Sequence, residues 1–301
     1  MIILVVKKQH YVPQFYLRSF SEMNNDKVDI YQKKDKKFIT TNVRSICYEK
    51  YIYDLEDNTF LKNYLELRSK HFNLNVDVEQ LLKENPQYIE TVFLNSLESD
   101  SSNIINRILK SSDGIILQNT EVKIKLLIFF YNLHERSPFK RNRYKNLHTQ
   151  RKEAYDRFPN PIRDELVQKY LSDPKESQIK NMISHYNIKD HLDLVTKYEW
   201  TLGITDHTNL FISSDNPASF IFMKEFCFPI STTKSILIRP KSPNQRNLYL
   251  DKKNKKYITD FSDQSVFTSN AFQDAENTML IGNHESIKKH LSLVTSLKEN
   301  K

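Results

Sequence analysis

The segment QHYVPQFYLRSF, residues 9–20, brings together side chains suited to acid–base and phosphate chemistry. His10 has an ordinary pKa near neutrality and is therefore a candidate general acid or base. Arg18 can hold a phosphate through two parallel hydrogen bonds, and the hydroxyl of Tyr11 can bind the same group. The alternative is structural: the segment forms an aromatic-rich corner between a strand and a helix, in which His10 and Arg18 satisfy buried backbone groups.

A second segment, FISSDNPASF, residues 211–220, ends an apolar strand in polar side chains. Asp215 stands at the strand end with its carboxylate presented outward, so we expect it to act as a base, to orient His10 or to hold a divalent metal. Asn216 is a candidate catalytic hydrogen-bond partner, and Ser214 a candidate substrate-binding hydroxyl. No other cofactor is indicated. Asp and Asn before a proline also form ordinary turns, and that alternative stays open.

The net charge of the chain favours a polyanionic partner. There are 45 Lys and Arg residues against 37 Asp and Glu, which gives a net charge of +8. Arg136 lies in the HERSP segment, at the start of a basic stretch, and is a further candidate phosphate ligand. Two candidate hairpins, IYQKKDKKFIT and LYLDKKNKKYIT, carry matching lysines that predict a nucleic-acid surface: Lys33, Lys34, Lys36, Lys37, Lys252, Lys253, Lys255 and Lys256. The alternative is that these lysines keep exposed tips soluble and block edge pairing.

The scarcity of glycine excludes several nucleotide-binding classes. The three glycines, Gly114, Gly203 and Gly282, are too scattered for a dinucleotide fingerprint or a P-loop, each of which needs several within one turn. Two cysteines, Cys47 and Cys227, cannot build a disulfide framework or a four-thiol zinc site, so we expect both to be reduced. The apolar opening MIILVV is far shorter than the ~18–20 residues that span a bilayer. We therefore expect a cytoplasmic protein with no membrane partner.

These candidate residues have to be positioned by the fold, for which the residue pattern predicts the α+β class. Alternating apolar and polar residues predict a β-rich segment over 1–60, and apolar spacings of three and four predict a helical middle over 61–199. Short apolar runs predict a second β-rich segment over 200–282, followed by a helix over 283–301. We expect the N-terminal and C-terminal β segments to form a sheet region around the helical middle, within a single domain of residues 1–301.

The chain resembles, nearly end to end, a bacterial family known as a domain of unknown function, family 4238. The resemblance is carried by QHYVPQFYLRSF, KVDIYQKKDKKF, YEKYIYDL, HERSP, FISSDNPASF, FPISTTKSILI and NAFQDAENTML, of which the HYVP and SDNP segments are the most specific. It implies that the family signature falls on His10, Tyr11, Pro13, Arg18, Arg136, Asp215, Asn216 and Pro217. Ala218 departs from the pattern, because the family more often has a β-branched residue there. Since polar signatures far apart in sequence usually converge, we expect these residues to share one pocket.

Charge, motifs and resemblance together predict a phosphodiesterase or nuclease-type effector that acts on nucleic acid or a nucleotide, in bacterial phage defence or a toxin system. His10 would then be the general acid or base, Asp215 would orient it or hold the metal, and Arg18 and Arg136 would clamp phosphate. The alternative is a non-enzymatic sensor module that binds nucleic acid or a protein partner. In that case the same His, Arg and Asp residues form a structural network.

Overall fold

The structure is a computed structural model that describes most of the 301-residue chain. The described residues are 5–21, 26–184, 192–205, 210–218, 226–241, 257–260, 266–271 and 277–299. The second lysine tip, at 252–256, and the first four residues of the MIILVV run lie outside these ranges. Within the described ranges, no helix is both long and apolar enough to cross a membrane.

The N-terminal strands belong to two different sheets. β1 (Lys8–His10) and β4 (Tyr48–Lys50) pair antiparallel as a two-stranded sheet. β2 (Lys27–Gln32) and β3 (Lys37–Asn42) form the hairpin that the alternating residues predict, with lysines at its tip. The short helix α1 (Gln14–Arg18) lies between β1 and β2, within the segment of residues 9–20.

The middle of the chain is helical, as predicted. Its helices are α2 (Thr59–His71), α3 (Val78–Glu84), α4 (Asn95–Lys110), α5 (Thr120–Arg136), α6 (Pro138–Tyr155), α7 (Asn160–Tyr170), α8 (Pro174–Ser184) and α9 (Asp193–Thr196). A π-helical turn, Ile89–Leu94, leads directly into α4. Such turns are rare in proteins, and those that do occur are often found at functional sites.

Helix α5 is the most buried helix and fixes the position of Arg136. Its N-cap is Asn119, whose side chain accepts a backbone hydrogen bond from the first turn at 3.1 Å. Apolar residues surround the helix, which is typical of a helix inside the core. It ends at Arg136 because Ser137, before Pro138, is extended with ψ 152°. Ser137 then caps α6.

Two four-stranded sheets contain the C-terminal strands and join distant parts of the chain. These strands are β5 (Tyr198–Ile204), β6 (Ser213–Ser214), β7 (Phe226–Pro229), β8 (Lys234–Pro240), β9 (Ile258–Asp260) and β10 (Met279–Gly282). One sheet has the order β3-β2-β10-β6, and the other has the order β7-β8-β5-β9 with β9 parallel to β5. Residues 266–271 are helical (α10), and α11 spans His284–Glu299. The α+β prediction is confirmed, since N-terminal and C-terminal strands share a sheet and a helix follows.

Aromatic packing holds the first polar segment against the C-terminal strands. Phe228 on β7 contacts Phe130 on α5 and Tyr16 on α1, with ring centroids 3.9 and 5.6 Å apart. All three side chains are buried. Burial of large aromatic side chains contributes strongly to stability. The packing holds α1 against β7, and the hydroxyl of Tyr16 lies 3.0 Å from that of Ser213, in the segment of residues 211–218.

Candidate functional site

His10 lies at the end of β1, opposite Tyr48 on β4, with the two ring centroids 5.6 Å apart. Its Nε2 atom is buried and has no hydrogen-bond partner within the described part of the chain. Burial lowers the pKa of His10 to about 4, against a backbone hydrogen bond at Arg44, and the charges of Arg136 and Lys8 lower it further. His10 is therefore a neutral imidazole at pH 7.

Tyr11 connects the first polar segment to three other parts of the protein. Its backbone N–H donates to the carbonyl of Cys47 at 2.9 Å, and the guanidinium of Arg141 lies 4.8 Å from its ring centroid. Burial raises the pKa of the Tyr11 hydroxyl, and so do Cys47 and Asp215. Arg141 also donates to the carbonyl of Arg136 at 2.5 Å. Tyr11 thus stays protonated and lies where the segments around 10, 47, 136 and 215 meet.

Arg136 is fully buried, and a protein carboxylate already holds it. Its Nη1 donates to Glu98 Oε1 on α4 at 2.7 Å, while its Nε has no partner among the described residues. Burial and the charge of Glu98 raise the pKa of Glu90, on the π-helical turn, to about 7, and Arg136 opposes that rise. The guanidinium that was predicted to clamp phosphate is therefore sealed from solvent, and its anionic partner is Glu98 on α4.

Asp215 points into the protein, so the expectation of an outward carboxylate is wrong. The residue is 2% exposed. Its oxygens accept hydrogen bonds from Thr278 N at 3.1 Å, from Met279 N at 3.3 Å and from the Thr278 hydroxyl. Burial raises the pKa of Asp215, and these hydrogen bonds oppose the rise. The carboxylate thereby ties the SDNP turn to the start of β10.

Ser214 and Asn216 are as buried as Asp215, with 0% and 1% exposure. The Ser214 hydroxyl oxygen accepts a hydrogen bond from Asn216 N at 3.2 Å. Both polar atoms of the Asn216 amide, Oδ1 and Nδ2, are buried and unpaired among the residues that the structure describes. Unpaired buried amides are uncommon in native proteins. This keeps Asn216 as a candidate for direct ligand contact.

Arg18 lies at the half-exposed end of α1, and its charge, like that of Arg136, lowers the pKa of His10. Its Nε forms an ion pair with Asp26 at 2.6 Å. Tyr16, which the sequence did not single out, is more central: its hydroxyl donates to the carbonyl of Pro229 at 2.8 Å and lies 3.0 Å from the Ser213 hydroxyl. The aromatic run around Tyr16 was visible in the sequence, but its partners lie about two hundred positions away.

The buried polar residues form one group, which we call the signature network: His10, Tyr11, Arg136, Ser214, Asp215 and Asn216. His10 interacts electrostatically with Arg136, and Tyr11 with Asp215. All members except His10 are at most 8% exposed. These residues are buried in the core, and the expectation that the signature residues share one pocket stays a prediction. This geometry favours a structural role for most of the network.

Several residues of this region escaped sequence reasoning. Glu98 lies 38 positions from its partner Arg136, and Glu49 lies 92 positions from its partner Arg141. No local spacing connects such pairs. The π-helical turn that carries Glu90 has no recognisable sequence signal either. The carboxylate partner of Arg136 agrees with the general rule that a buried charge is paired.

The first lysine tip is exposed, as a nucleic-acid surface requires. Lys34, Lys36 and Lys37 are exposed, whereas Lys33 is half-buried and its backbone N–H donates to the carbonyl of Thr278 at 3.0 Å. The matching tip falls outside the described residues: Lys252, Lys253, Lys255 and Lys256. The structure therefore describes the first of the two predicted lysine tips and not the second.

Metal binding at Asp215 stays a prediction. Across the described ranges, no group of three or more His, Cys, Asp or Glu side chains is arranged to hold a metal ion. Both oxygens of Asp215 accept hydrogen bonds from residues 278 and 279. Cys47 and Cys227 are both free thiols.

The fold and the network define a class: an α+β protein in which polar segments from both ends of the chain meet in the core beside a buried helix. The chain belongs to the family described as "Protein of unknown function (DUF4238)", whose model matches residues 8–283. This confirms the resemblance predicted from the QHYVPQFYLRSF and SDNP segments. No curated protein and no solved structure matches the chain.

Proposed function

We propose that the protein binds nucleic acid through the exposed side of α6, and that the signature network supports this helix structurally. One observation carries the proposal. Helix α6 holds six Lys and Arg residues and one Glu, a net charge of +5 in 18 residues, when the whole chain has a net charge of +8. A basic stripe along one helix is the electrostatic footprint of a nucleic-acid-binding protein.

Four cations of α6 are available to a ligand. They are exposed and form no ion pair in the described part of the chain: Arg143, Lys145, Arg151 and Lys152. Arg143 and Lys152 are separated by about 13 Å along the helix axis, at ~1.5 Å per residue. A duplex strand advances ~3.4 Å per phosphate, so this span matches about four phosphates. We call these four residues the basic α6 residues.

The signature network touches α6 from the protein interior. Arg141 stacks on Tyr11 and donates to the carbonyl of Arg136. Tyr144 donates to Glu135 Oε2 at 2.7 Å, and Lys140 pairs with Glu135 at the same distance. These contacts use Lys140, Arg141 and Tyr144, while the side chains of the four basic α6 residues remain exposed to solvent. A structural role for the buried residues is thus compatible with a binding role for the surface.

The test is the salt dependence of nucleic-acid binding. A triple variant, Arg143→Gln, Arg151→Gln and Lys152→Gln, should lower the slope of log Kd against log salt concentration by about two to three, because each phosphate contact contributes ~0.7–0.9. Fluorescence anisotropy with labelled single-stranded RNA and duplex DNA measures the slope. The matched control removes three exposed lysines on α2, α3 and α4: Lys70→Gln, Lys83→Gln and Lys110→Gln. Equal slopes for both triple variants would remove the proposal.

A second candidate is the phosphodiesterase or nuclease-type activity predicted from the sequence. The observation in its favour is that unpaired buried polar atoms occur in the signature network itself, at His10 Nε2, Arg136 Nε and the Asn216 amide. In native proteins such atoms require an explanation, and contact with a substrate is one. His10 would accept a proton, and Asn216 would bind the substrate, with Asp215 as the orienting group or metal ligand.

This candidate is tested by incubating the purified protein with RNA, single-stranded DNA and duplex DNA, with and without Mg²⁺ or Mn²⁺. Cleavage by the wild type that His10→Ala and Asn216→Ala abolish, with folding intact, supports catalysis. Equal behaviour of wild type and variants on every substrate contradicts it. We further propose that the protein acts in the cytoplasm, in bacterial phage defence or a toxin system. The two free thiols support the cytoplasmic location.

A further inference from the structure

A cationic cleft lies between the turn after β4, the first half of α6 and the start of α8. Its volume is about 170 Å³. Four of the side chains that line it are basic and one is acidic: Lys50, Arg141, Lys145, Lys175 and Glu49. Ligand pockets for drug-sized molecules measure ~300–1,000 Å³, so this cleft suits a small anion or one anionic group of a larger ligand.

Two of its cations are held in place by the protein. The Lys175 ammonium donates to the carbonyls of Asp54 and Tyr51, at 2.9 and 3.3 Å. Arg141 is fixed by the Tyr11 ring, by the Arg136 carbonyl and by an ion pair with Glu49. A guanidinium has five N–H donors, of which these contacts use two. The inner end of the cleft is therefore a preorganised donor surface.

The other two cations are free to close on a ligand. Lys50 and Lys145 are exposed, and neither forms an ion pair with any residue that the structure describes. The acidic residue of the cleft is neutralised by Arg141. The lining side chains therefore carry four positive charges against one negative charge, and anions are drawn to such concave cationic surfaces.

The backbone around the cleft is also unusual. Tyr51 adopts a left-handed conformation with φ 55°, and Cys47, before β4, does so with φ 53°. Non-glycine residues in this region are uncommon and cluster at ligand sites and active sites, where surrounding contacts hold them. Here the contact from Lys175 to the Tyr51 carbonyl is one of those that hold the turn.

We propose that this cleft binds a phosphate group, with Lys50 and Lys145 as the mobile ligands and Arg141 and Lys175 as the fixed ones. The group comes either from a free phosphorylated molecule or from a nucleic-acid strand that lies along α6. The second source rests on the proposed function. The first does not, and this makes the two ideas separable by experiment.

The test compares wild type with a Lys50→Gln, Lys145→Gln variant and with a Lys70→Gln, Lys83→Gln control of equal charge. Both pairs are exposed and unpaired, so all three proteins should fold, which thermal unfolding verifies. Pyrophosphate binding is measured by titration calorimetry and labelled RNA binding by anisotropy. The cleft variant should weaken pyrophosphate binding about tenfold, because it removes two of the four cationic ligands and both are exposed to solvent. The control should change it less than about twofold.

The outcomes separate the two proposals. Pyrophosphate binding that only the cleft variant loses supports the phosphate site, and it does so even if RNA does not bind at all, which would contradict the proposed function alone. Loss of RNA affinity in the same variant then identifies nucleic acid as the source of the phosphate. No pyrophosphate binding by the wild type, or equal weakening in cleft and control variants, overturns the inference whatever RNA does.

Discussion

Replacing Asp215 by alanine should destabilise the protein strongly, because three hydrogen-bond donors lose their acceptor. The donors are the backbone N–H groups of Thr278 and Met279, at 3.1 and 3.3 Å, and the Thr278 hydroxyl. A buried donor left without a partner costs about 1–3 kcal/mol. The three donors share two oxygens. Removing the carboxylate also removes the free-energy cost of burying it, and the raised pKa of Asp215 reflects that cost. We therefore expect a net loss of about 3–4 kcal/mol in the free energy of unfolding.

Urea denaturation at pH 7, followed by circular dichroism, measures this loss. Asp215→Asn keeps one acceptor oxygen but places an NH₂ group against N–H donors, so it should lose about half as much. The control is Asp35→Ala at the exposed tip of the β2–β3 hairpin, where a change within about 0.5 kcal/mol is expected. A loss of about 3–4 kcal/mol in the free energy of unfolding for Asp215→Ala, with an unchanged control, establishes that the carboxylate anchors the SDNP turn.

The result that refutes this reasoning is a loss below about 1 kcal/mol for Asp215→Ala, since that is less than one unsatisfied donor should cost. It would mean that the Asp215 carboxylate is not needed for folding at this place. Loss of nucleic-acid cleavage in the same stable variant would then favour the catalytic candidate over the structural one.

Three further predictions concern buried polar side chains. The pKa of Glu90 is raised to about 7, so its protonation stabilises the fold fully below pH ~4.5, and this stability is lost as the pH rises through 7. Glu90→Gln should remove about 1–2 kcal/mol of this pH-dependent change in stability, at ~1.4 kcal/mol per pKa unit less solvent screening. Urea titrations at pH 5 and pH 8 measure the change. The pKa of His10 is lowered to about 4, so the neutral imidazole contributes stability above pH ~6.5, and this contribution is lost as the pH falls to 4. His10→Gln should reduce this loss of stability at low pH by about 1–2 kcal/mol. An unchanged loss would disprove the lowered pKa of His10. Tyr16→Phe removes the hydroxyl that contacts Pro229 and Ser213 and should cost about 1–2 kcal/mol; a neutral effect in thermal unfolding would contradict the role of this hydroxyl.

Much of the fold was readable from local signals. The β2–β3 hairpin follows from the alternation in KVDIYQKKDKKFIT, and the end of α5 follows from Ser137 before Pro138. The C-terminal helix follows from apolar spacing after position 284. Each of these features depends on residues close together in sequence, so propensity and pattern suffice to predict it.

The candidate site was predicted less well because it depends on contacts across the chain. Asp215 was expected to face outward, as turn residues before proline often do, but Thr278 and Met279, at the start of β10, supply donors 63 and 64 positions later. Arg136 was expected to meet phosphate, but α4 supplies Glu98. That the chosen residues act as one site stays a prediction, whereas the direction of each of these side chains is set by partners that spacing cannot reveal. The cationic cleft was missed for the same reason, since Lys50, Lys145 and Lys175 come from three separate elements.

With three glycines in 301 residues, the chain makes left-handed backbone with other residue types. Within the described ranges the non-glycine residues with positive φ are Lys36, Cys47, Tyr51 and Asn73. The first lies in a hairpin tip and the last in the turn after α2, where such geometry is ordinary. Cys47 and Tyr51 instead bracket β4, and each left-handed residue of this kind costs about 1–2 kcal/mol. Their conformations are held by Tyr11, which donates to the Cys47 carbonyl, and by Lys175, which donates to the Tyr51 carbonyl. β4 is therefore fixed at one end by the signature network and at the other by the cleft, so a change on either side should move the strand that both share.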